Sequence, residues 1–452
     1  MEQAQQRIAS LIAERRVADR LSAVEWLICA VAGMGFLFDT YEIVVQGIVV
    51  RPALIDLGLI PGSAAFNRWV GWVLYLPFLA GGVVGLLGGY LTDRLGRRRV
   101  LVWSIGLYGV ATIGAAQAST PQQLLIWRCI TIIGVSAEWI AATAWMAELF
   151  NNSRRREAAL GFTQAFGAAG VFLIGIVYFV AVTYGEYLPA IHGSHAGWRY
   201  SLIFGALPVV PVLLARLLLP ESSRWRELKL NGTSRRPSFR ELFRPAYRRI
   251  TITASLMVAA IYCAAFGVVQ HMPRIVPGLP QVRLLSHLQQ EQLISLVHLM
   301  QDFGGIVGRF ALACLAITWL ARRRVLLTFQ LPALFVLPLV FATAPYLDLR
   351  LLAGGALLTG ILLHGQISFI GNYLPQMYPV QLRGTGESFA ISIGGRIVGT
   401  STALLTTWLA NFSPGTDPAE KLAWAAAAVA LVGGCFGLLI TRFLPNPQHN
   451  AS

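Results

Sequence analysis

The residues able to do chemistry in this chain are ionisable side chains set singly into apolar stretches. Asp39 and Glu42 lie three residues apart, on one face if the segment is helical. Arg128 and Glu138 fall in a second stretch, Asp302 and Arg309 in a third, and Arg396 follows Gly394-Gly395 in a fourth. A carboxyl group in apolar surroundings holds its proton more tightly, and a nearby guanidinium opposes that effect. A guanidinium also binds carboxylate or phosphate bidentately. Proton exchange and anion recognition are therefore the chemistry these residues can carry. Gln164, His364 and Gln366 add neutral hydrogen-bonding groups at comparable positions, where the plain alternative is packing between helices. No nucleotide-binding loop, metal-ligand spacing or nucleophile motif occurs, so neither an enzyme nor a cofactor is expected. His192 and His195, three residues apart in a short loop, make no metal site by themselves.

The elements that must hold these groups are hydrophobic helices. The chain has 452 residues, of which 56% are hydrophobic and only 13% charged, with a mean hydropathy of +0.61. A soluble protein carries about 25% charged residues. Apolar runs long enough to cross a bilayer recur about twelve times, over 24–50, 68–91, 99–118, 123–149, 158–184, 199–219, 250–271, 292–319, 325–343, 351–376, 385–411 and 422–444. An all-α membrane protein of twelve transmembrane helices is expected.

The net charge of +15 suggests nucleic acid until its distribution is read. If the N-terminus is cytoplasmic, 25 of the 36 Lys and Arg fall in cytoplasmic segments. That is the positive-inside asymmetry, so the basic balance is a topology signal, both termini are expected in the cytoplasm, and nucleic acid is excluded. The first twenty residues lack the apolar core of a signal peptide. Cys29, Cys129, Cys263, Cys314 and Cys435 are odd in number and lie within spans, which supports neither a disulfide framework nor a metal site.

Segment 221–249 holds nine basic residues with Pro237 and Pro245 and reads as a linker between two halves. The expected layout is a cytoplasmic segment 1–23, a six-helix half 24–220, the linker, a second six-helix half 250–444 and a tail 445–452. An internal repeat supports it: Arg97-Arg98-Arg99-Val100-Leu101 returns as Arg322-Arg323-Arg324-Val325-Leu326, in the corresponding loop of each half.

The first copy of that loop reads Gly89-Tyr90-Leu91-Thr92-Asp93-Arg94-Leu95-Gly96-Arg97-Arg98. It resembles the signature between helices 2 and 3 of major facilitator superfamily transporters. Other matches extend the resemblance: Arg128, Gly134 and Glu138 in span 4, Ala147-Glu148-Leu149 before Arg154-Arg155-Arg156, Pro220-Glu221-Ser222-Ser223-Arg224-Trp225 after span 6, and Arg383-Gly384-Thr385-Gly386 before span 11. The last-but-one looks like the motif closing helix 6 in sugar porters and related metabolite:proton symporters. Ser223 stands for the usual proline, Gln376 for the usual helix-10 glutamate, and span 7 lacks the paired glutamines of hexose porters. The span-1 run Gly35-Phe36-Leu37-Phe38-Asp39-Thr40-Tyr41-Glu42 instead looks like the acidic motif of organic-acid and phosphate:proton symporters.

The resemblance implies roles. Asp39 and Arg128 lie at similar depth by helix rise and are expected to form the proton-handling pair, or else a static ion pair. Glu42 is either a second proton site or a hydrated residue near the outer interface, and Glu138 faces either a cavity or a packing partner. Gln164, Arg309, His364, Gln366 and Arg396 are expected to bind substrate; alternatively Asp302 and Arg309 neutralise each other. Gly89, Asp93, Arg94, Gly96, Arg97, Arg98, Glu148 and Arg155 are expected to latch the cytoplasmic gate, with Asp93 at the start of helix 11. The implied function is a monomeric secondary transporter of the inner membrane that takes up a small polar solute with protons, first an organic or sugar acid and second a neutral sugar. The alternatives are proton-driven efflux of amphipathic compounds and a non-transporting sensor on the same fold.

Overall fold

The computed structural model describes residues 23–149, 153–207, 209–210, 214, 239–318, 322–374, 377–378 and 383–444. Among them there is no β-strand. In lipid every backbone N–H and C=O needs a partner inside the protein, and a helix supplies one within its own segment.

Five helices open the first half: α1 (Ala23–Asp56), α2 (Ala64–Leu95), α3 (Arg97–Ala116), α4 (Pro121–Leu149) and α5 (Ser153–Tyr184). The described start of the sixth, α6, is Gly197–Ala206. In the second half α7 runs Pro245–Tyr262, continues as a π-helix over Cys263–Val268 and tightens to 3-10 geometry at Val269–His271. It is followed by α8 (His287–Thr318), α9 (Arg322–Thr343) and α10 (Leu349–Tyr373). Helix α11 begins at Arg383–Phe389, passes through a π-helix over Ala390–Gly399 and is α-helical again over Thr400–Leu409; α12 is Pro418–Thr441. Among the described residues, nine segments are long and apolar enough to cross a membrane. Buried ionisable groups are most numerous on α8, with Glu291, His298 and Asp302, while α1 carries Asp39 and Glu42 and α4 carries Arg128 and Glu138. Most of the 221–249 linker lies outside the described residues, which there begin at the short helix Phe239–Leu242 and run on into α7.

Local chemistry sets the helix ends. The Phe66 amide donates to Ser63 Oγ (3.1 Å) and the Leu351 amide to Asp348 Oδ1 (2.8 Å), capping α2 and α10. Between α2 and α3, Gly96 has φ +98° and ψ 151°, a conformation open to glycine and costly for any residue with a Cβ.

The two halves repeat one packing scheme. Helix α1 packs on α5, α2 on α4, and α3 on α4 and α6; correspondingly α7 packs on α11, α8 on α10, and α9 on α10 and α12. Gly170 lies against the Leu37 carbonyl as Gly394 lies against that of Ser255, so both backbone approaches depend on a missing Cβ. The halves meet where α2 packs on α11 and α5 on α8. Two neighbouring glycines make α2 thin on both sides: Gly81 faces Ile132 and Ser136 of α4, and Gly82 faces Ser392, Arg396 and Ile397 of α11. Phe78 of α2 meets Phe266 of α7 edge-on at 4.6 Å between centroids.

Gly96→Ala should cost about 1–3 kcal/mol through backbone strain and lower the melting temperature of detergent-solubilised protein. Gly354→Ala, at an open helical surface of α10, should leave it unchanged or slightly raised. Equal melting temperatures for Gly96→Ala and the parent would contradict the strain.

Candidate functional site

Helix α1 delivers Asp39, Glu42 and Gln46 to the interior, all essentially without solvent exposure, and α4 delivers Arg128 and Glu138, equally buried. Arg128 Nη1 donates to Glu42 Oε2 at 2.6 Å. Its Nη2 donates to the Glu42 carbonyl at 2.5 Å, and its Nε to Gln46 Oε1 at 3.3 Å. Side-chain charge, a backbone carbonyl and an amide together surround the guanidinium, as a buried cation requires. Glu42 also packs on Gly205 of α6, whose lack of a side chain makes room for its carboxylate. The pair sits within the first half, joining α1 to α4.

This corrects two expectations. The carboxylate bonded to Arg128 is Glu42, not Asp39; a depth reckoned from helix rise cannot separate residues one turn apart on the same face, where three residues advance only about 4.5 Å. Glu42 is also not a hydrated residue at the interface, since its side chain is fully buried.

Asp39 belongs to a second constellation, at the seam between the halves. It lies within electrostatic range of Arg396, as does Tyr262. Arg396 projects from the π-helical stretch of α11 and is itself buried. A π-turn carries an extra residue and re-aims the side chains around it, and such turns recur at functional sites. Phe36 and Trp139 stack edge-on at 4.7 Å beside the helix stretches that hold Asp39 and Glu138.

A third group lies between α8 and α10. His298 Nε2 is 3.6 Å from Asp302 Oδ2, both side chains buried. Gly305 lets the His364 ring approach α8, and His364 Nδ1 is 3.1 Å from the Gly360 carbonyl. Half-buried Arg309 lies within electrostatic range of His364. No ion pair joins Asp302 to Arg309 among the described residues, so the expected alternative of mutual neutralisation fails: the near partner of Asp302 is His298, one turn earlier. Gln366 is buried and donates to the Leu362 carbonyl of its own helix at 3.2 Å. His192 and His195 engage the carbonyls of Gln117 and Gly185.

Gly89 lies in α2, Glu148 in α4, and Arg155 and Gln164 in α5. The side chains of Glu148, Arg155 and Gln164, and those of Asp93, Arg94 and Arg97, lie outside the described residues. Gly96 and Arg98 are described, and α2 touches the Arg383–Phe389 turn that opens α11.

The end of the bundle opposite the start of α1 and the finish of α12 is closed by contacts between the halves. Arg51 Nη1 meets Glu291 Oε1 at 2.6 Å, and the Tyr178 hydroxyl donates to Glu291 Oε2 at 2.5 Å. Ser295 Oγ donates to the Gly175 carbonyl (2.8 Å) and Arg274 Nη2 to Asn67 Oδ1 (2.9 Å). Sequence reasoning passed over Arg51, Tyr178, Glu291 and Arg274. The available signal was an acid and a base at the edges of spans in different halves, which does not pair them across 240 residues.

Two halves with a repeated packing scheme, built of membrane-length helices and meeting at a seam that carries buried charges, are the layout of a secondary transporter. The Major Facilitator Superfamily model matches residues 34–400, and the chain belongs to that family. It is 27% identical to a probable 4-methylmuconolactone transporter of Cupriavidus pinatubonensis over 81% of this chain and 83% of that protein. It is 26% identical to a gallate transporter of Pseudomonas putida, covering 84% and 85% respectively. The crystal structure of a D-xylose-proton symporter superposes with a TM-score of 0.72 at 17% identity, over 95% of this chain and all of the other. The protein is thus a multi-pass membrane protein that moves a small solute, and not an enzyme.

Removing one member of a buried ion pair costs about 3–5 kcal/mol. Glu291→Gln and Arg51→Gln should therefore each loosen the closed end. In a cysteine-free background carrying Ala419→Cys, at that end, thiol labelling should speed up several-fold in either variant, with little further gain in the double variant. Parental labelling rates in both would show that the pair does not hold the seam.

Proposed function

We propose that the protein is a proton symporter for a small organic anion, with the end that carries the start of α1 and the finish of α12 in the cytoplasm. The observation that carries this reading is the placement of Asp39 and Arg396 within electrostatic range across the seam, one from each half. While Asp39 is ionised it compensates Arg396. A proton on Asp39 removes that compensation and leaves the guanidinium to a carboxylate, which it binds bidentately. Proton and anion then favour one another's binding, and by linkage the effect is reciprocal. Loaded with both, the seam carries no added net charge and can close. Glu42–Arg128 is the second proton-handling pair, since protonating Glu42 releases a guanidinium that has one carboxylate partner. Arg309, His364 and the His298–Asp302 pair extend the polar lining into the second half, with Gln164, Gln366 and Glu138 as further members. The relatives named for 4-methylmuconolactone and gallate support an organic acid over a neutral sugar.

The proposed cytoplasmic latch consists of Gly89, Asp93, Arg94, Gly96, Arg97 and Arg98, with Glu148 and Arg155 beside them. The contact of α2 with the first turn of α11 supports it. The orientation rests on the charge asymmetry of the loops.

Reconstituted protein offered a panel of aromatic and aliphatic carboxylates and of sugars should acidify the vesicle lumen with one class of carboxylate. Asp39→Asn should abolish the substrate-dependent proton flux while retaining solute exchange, and Arg396→Gln should raise KM at least tenfold. Proton-coupled transport surviving in Asp39→Asn, or coupling to sugars alone, would overturn the reading.

A further inference from the structure

At the closed end of the seam, away from the central groups, lies a half-open cavity of about 200 Å³ lined by both halves. Arg51, Phe66 and Asn67 contribute from α1 and α2; Arg274, Arg283 and Asp417 contribute from the second half. Such a volume suits an ion of a few heavy atoms, well below the 300–1,000 Å³ or so of a drug-sized pocket.

Its three guanidiniums are not equally compensated. Arg51 is paired with Glu291 at 2.6 Å. Arg283 lies 3.8 Å from Asp417, and both are half exposed or more. Arg274 is more than nine-tenths buried. Its Nη2 is bonded to Asn67 and its Nη1 lies 3.2 Å from His271 Nδ1, both uncharged acceptors when that histidine is neutral. Its Nε has no hydrogen-bond partner, and among the described residues no carboxylate lies within ion-pairing distance. The lining therefore holds one buried positive charge in excess. A buried cation left in that condition is unfavourable unless a counter-charge joins it.

We infer that this cavity is an anion site that takes a small monoanion, a carboxylate or a halide, on Arg274. The Arg274 guanidinium, at the cavity wall beside Arg51 and Arg283, is the docking group, and Asn67 orients it from the opposite half. Because both halves build the wall, an anion held there ties them together while this end is closed and is released when it opens. The site is separate from the proposed central pair and does not depend on it. It gives the protein a sensor of anion concentration on the side this cavity faces.

The test uses the purified full-length protein in a gluconate background, titrated with sodium chloride or sodium acetate and read as thermal unfolding. Ligand binding to the folded state raises the melting temperature in a saturable way. The parent should show saturation with at least one anion; chloride alone identifies a halide site and acetate alone a carboxylate site. Arg274→Gln should weaken the apparent affinity at least tenfold. Asn67→Asp, which supplies a carboxylate in place of the bound anion, should do the same while keeping the shape of the site. Arg274→Lys should keep affinity within a few-fold, and Arg396→Gln should leave it unchanged. No saturable shift in the parent, or an undiminished one in both Arg274→Gln and Asn67→Asp, would overturn the proposal. Loss of the shift in Arg396→Gln instead would move the anion to the central seam and overturn it as well.

Discussion

A guanidinium inside a membrane protein must be matched by oxygen atoms, because water is not there to do it. Arg128 is the strictest case in this structure. Glu42, the Glu42 carbonyl and Gln46 surround it, and all three come from one stretch of α1. That demand fixes α1 against α4 in depth and rotation. With α1 held, Asp39 is turned toward the other half, and the Leu37 carbonyl is presented to Gly170 of α5. The first half is therefore organised around a charge it cannot hydrate.

The second half spends its polar groups differently. One cluster of its ionisable residues lies along α8 and α10, with His298 beside Asp302 and His364 fitted over Gly305, while Arg396 stands apart on α11. The shared packing scheme survives, but the chemistry on the two sides has diverged. In the proposed function the roles fall on what faces across the seam, where Arg396 lies within electrostatic range of Asp39 in the middle and Glu291 pairs with Arg51 and Tyr178 at the closed end. Neither constellation exists within one half alone.

The helices and their two-fold repeat were legible in the chain because apolar runs and loop charges are local properties. Arg128 was legible as a charge needing a partner, but its choice of Glu42 over Asp39 was not. The two acids share a face, and the outcome depends on a helix rotation that α3 and α6 help to set. The π-helical stretch that aims Arg396 has no pattern of its own in the residues Ala390–Gly399. The Arg51–Glu291 contact was hidden for another reason: each residue alone is an ordinary charge at the rim of a span, and only the docking of the halves makes them a pair.

Gly81 and Gly82 place two different jobs on adjacent positions of α2. One backs onto a helix of its own half, whose packing the proposed transport cycle leaves intact. The other backs onto α11 of the opposite half, against which α2 would slide or tilt in the proposed transport cycle. The helix thus has a glued side and a bearing side, one residue apart. Bulk added at the first acts on assembly of the half; bulk added at the second acts on the friction between halves, and so on turnover. A helix built this way lets selection tune the speed of the machine without touching the parts that hold the cargo.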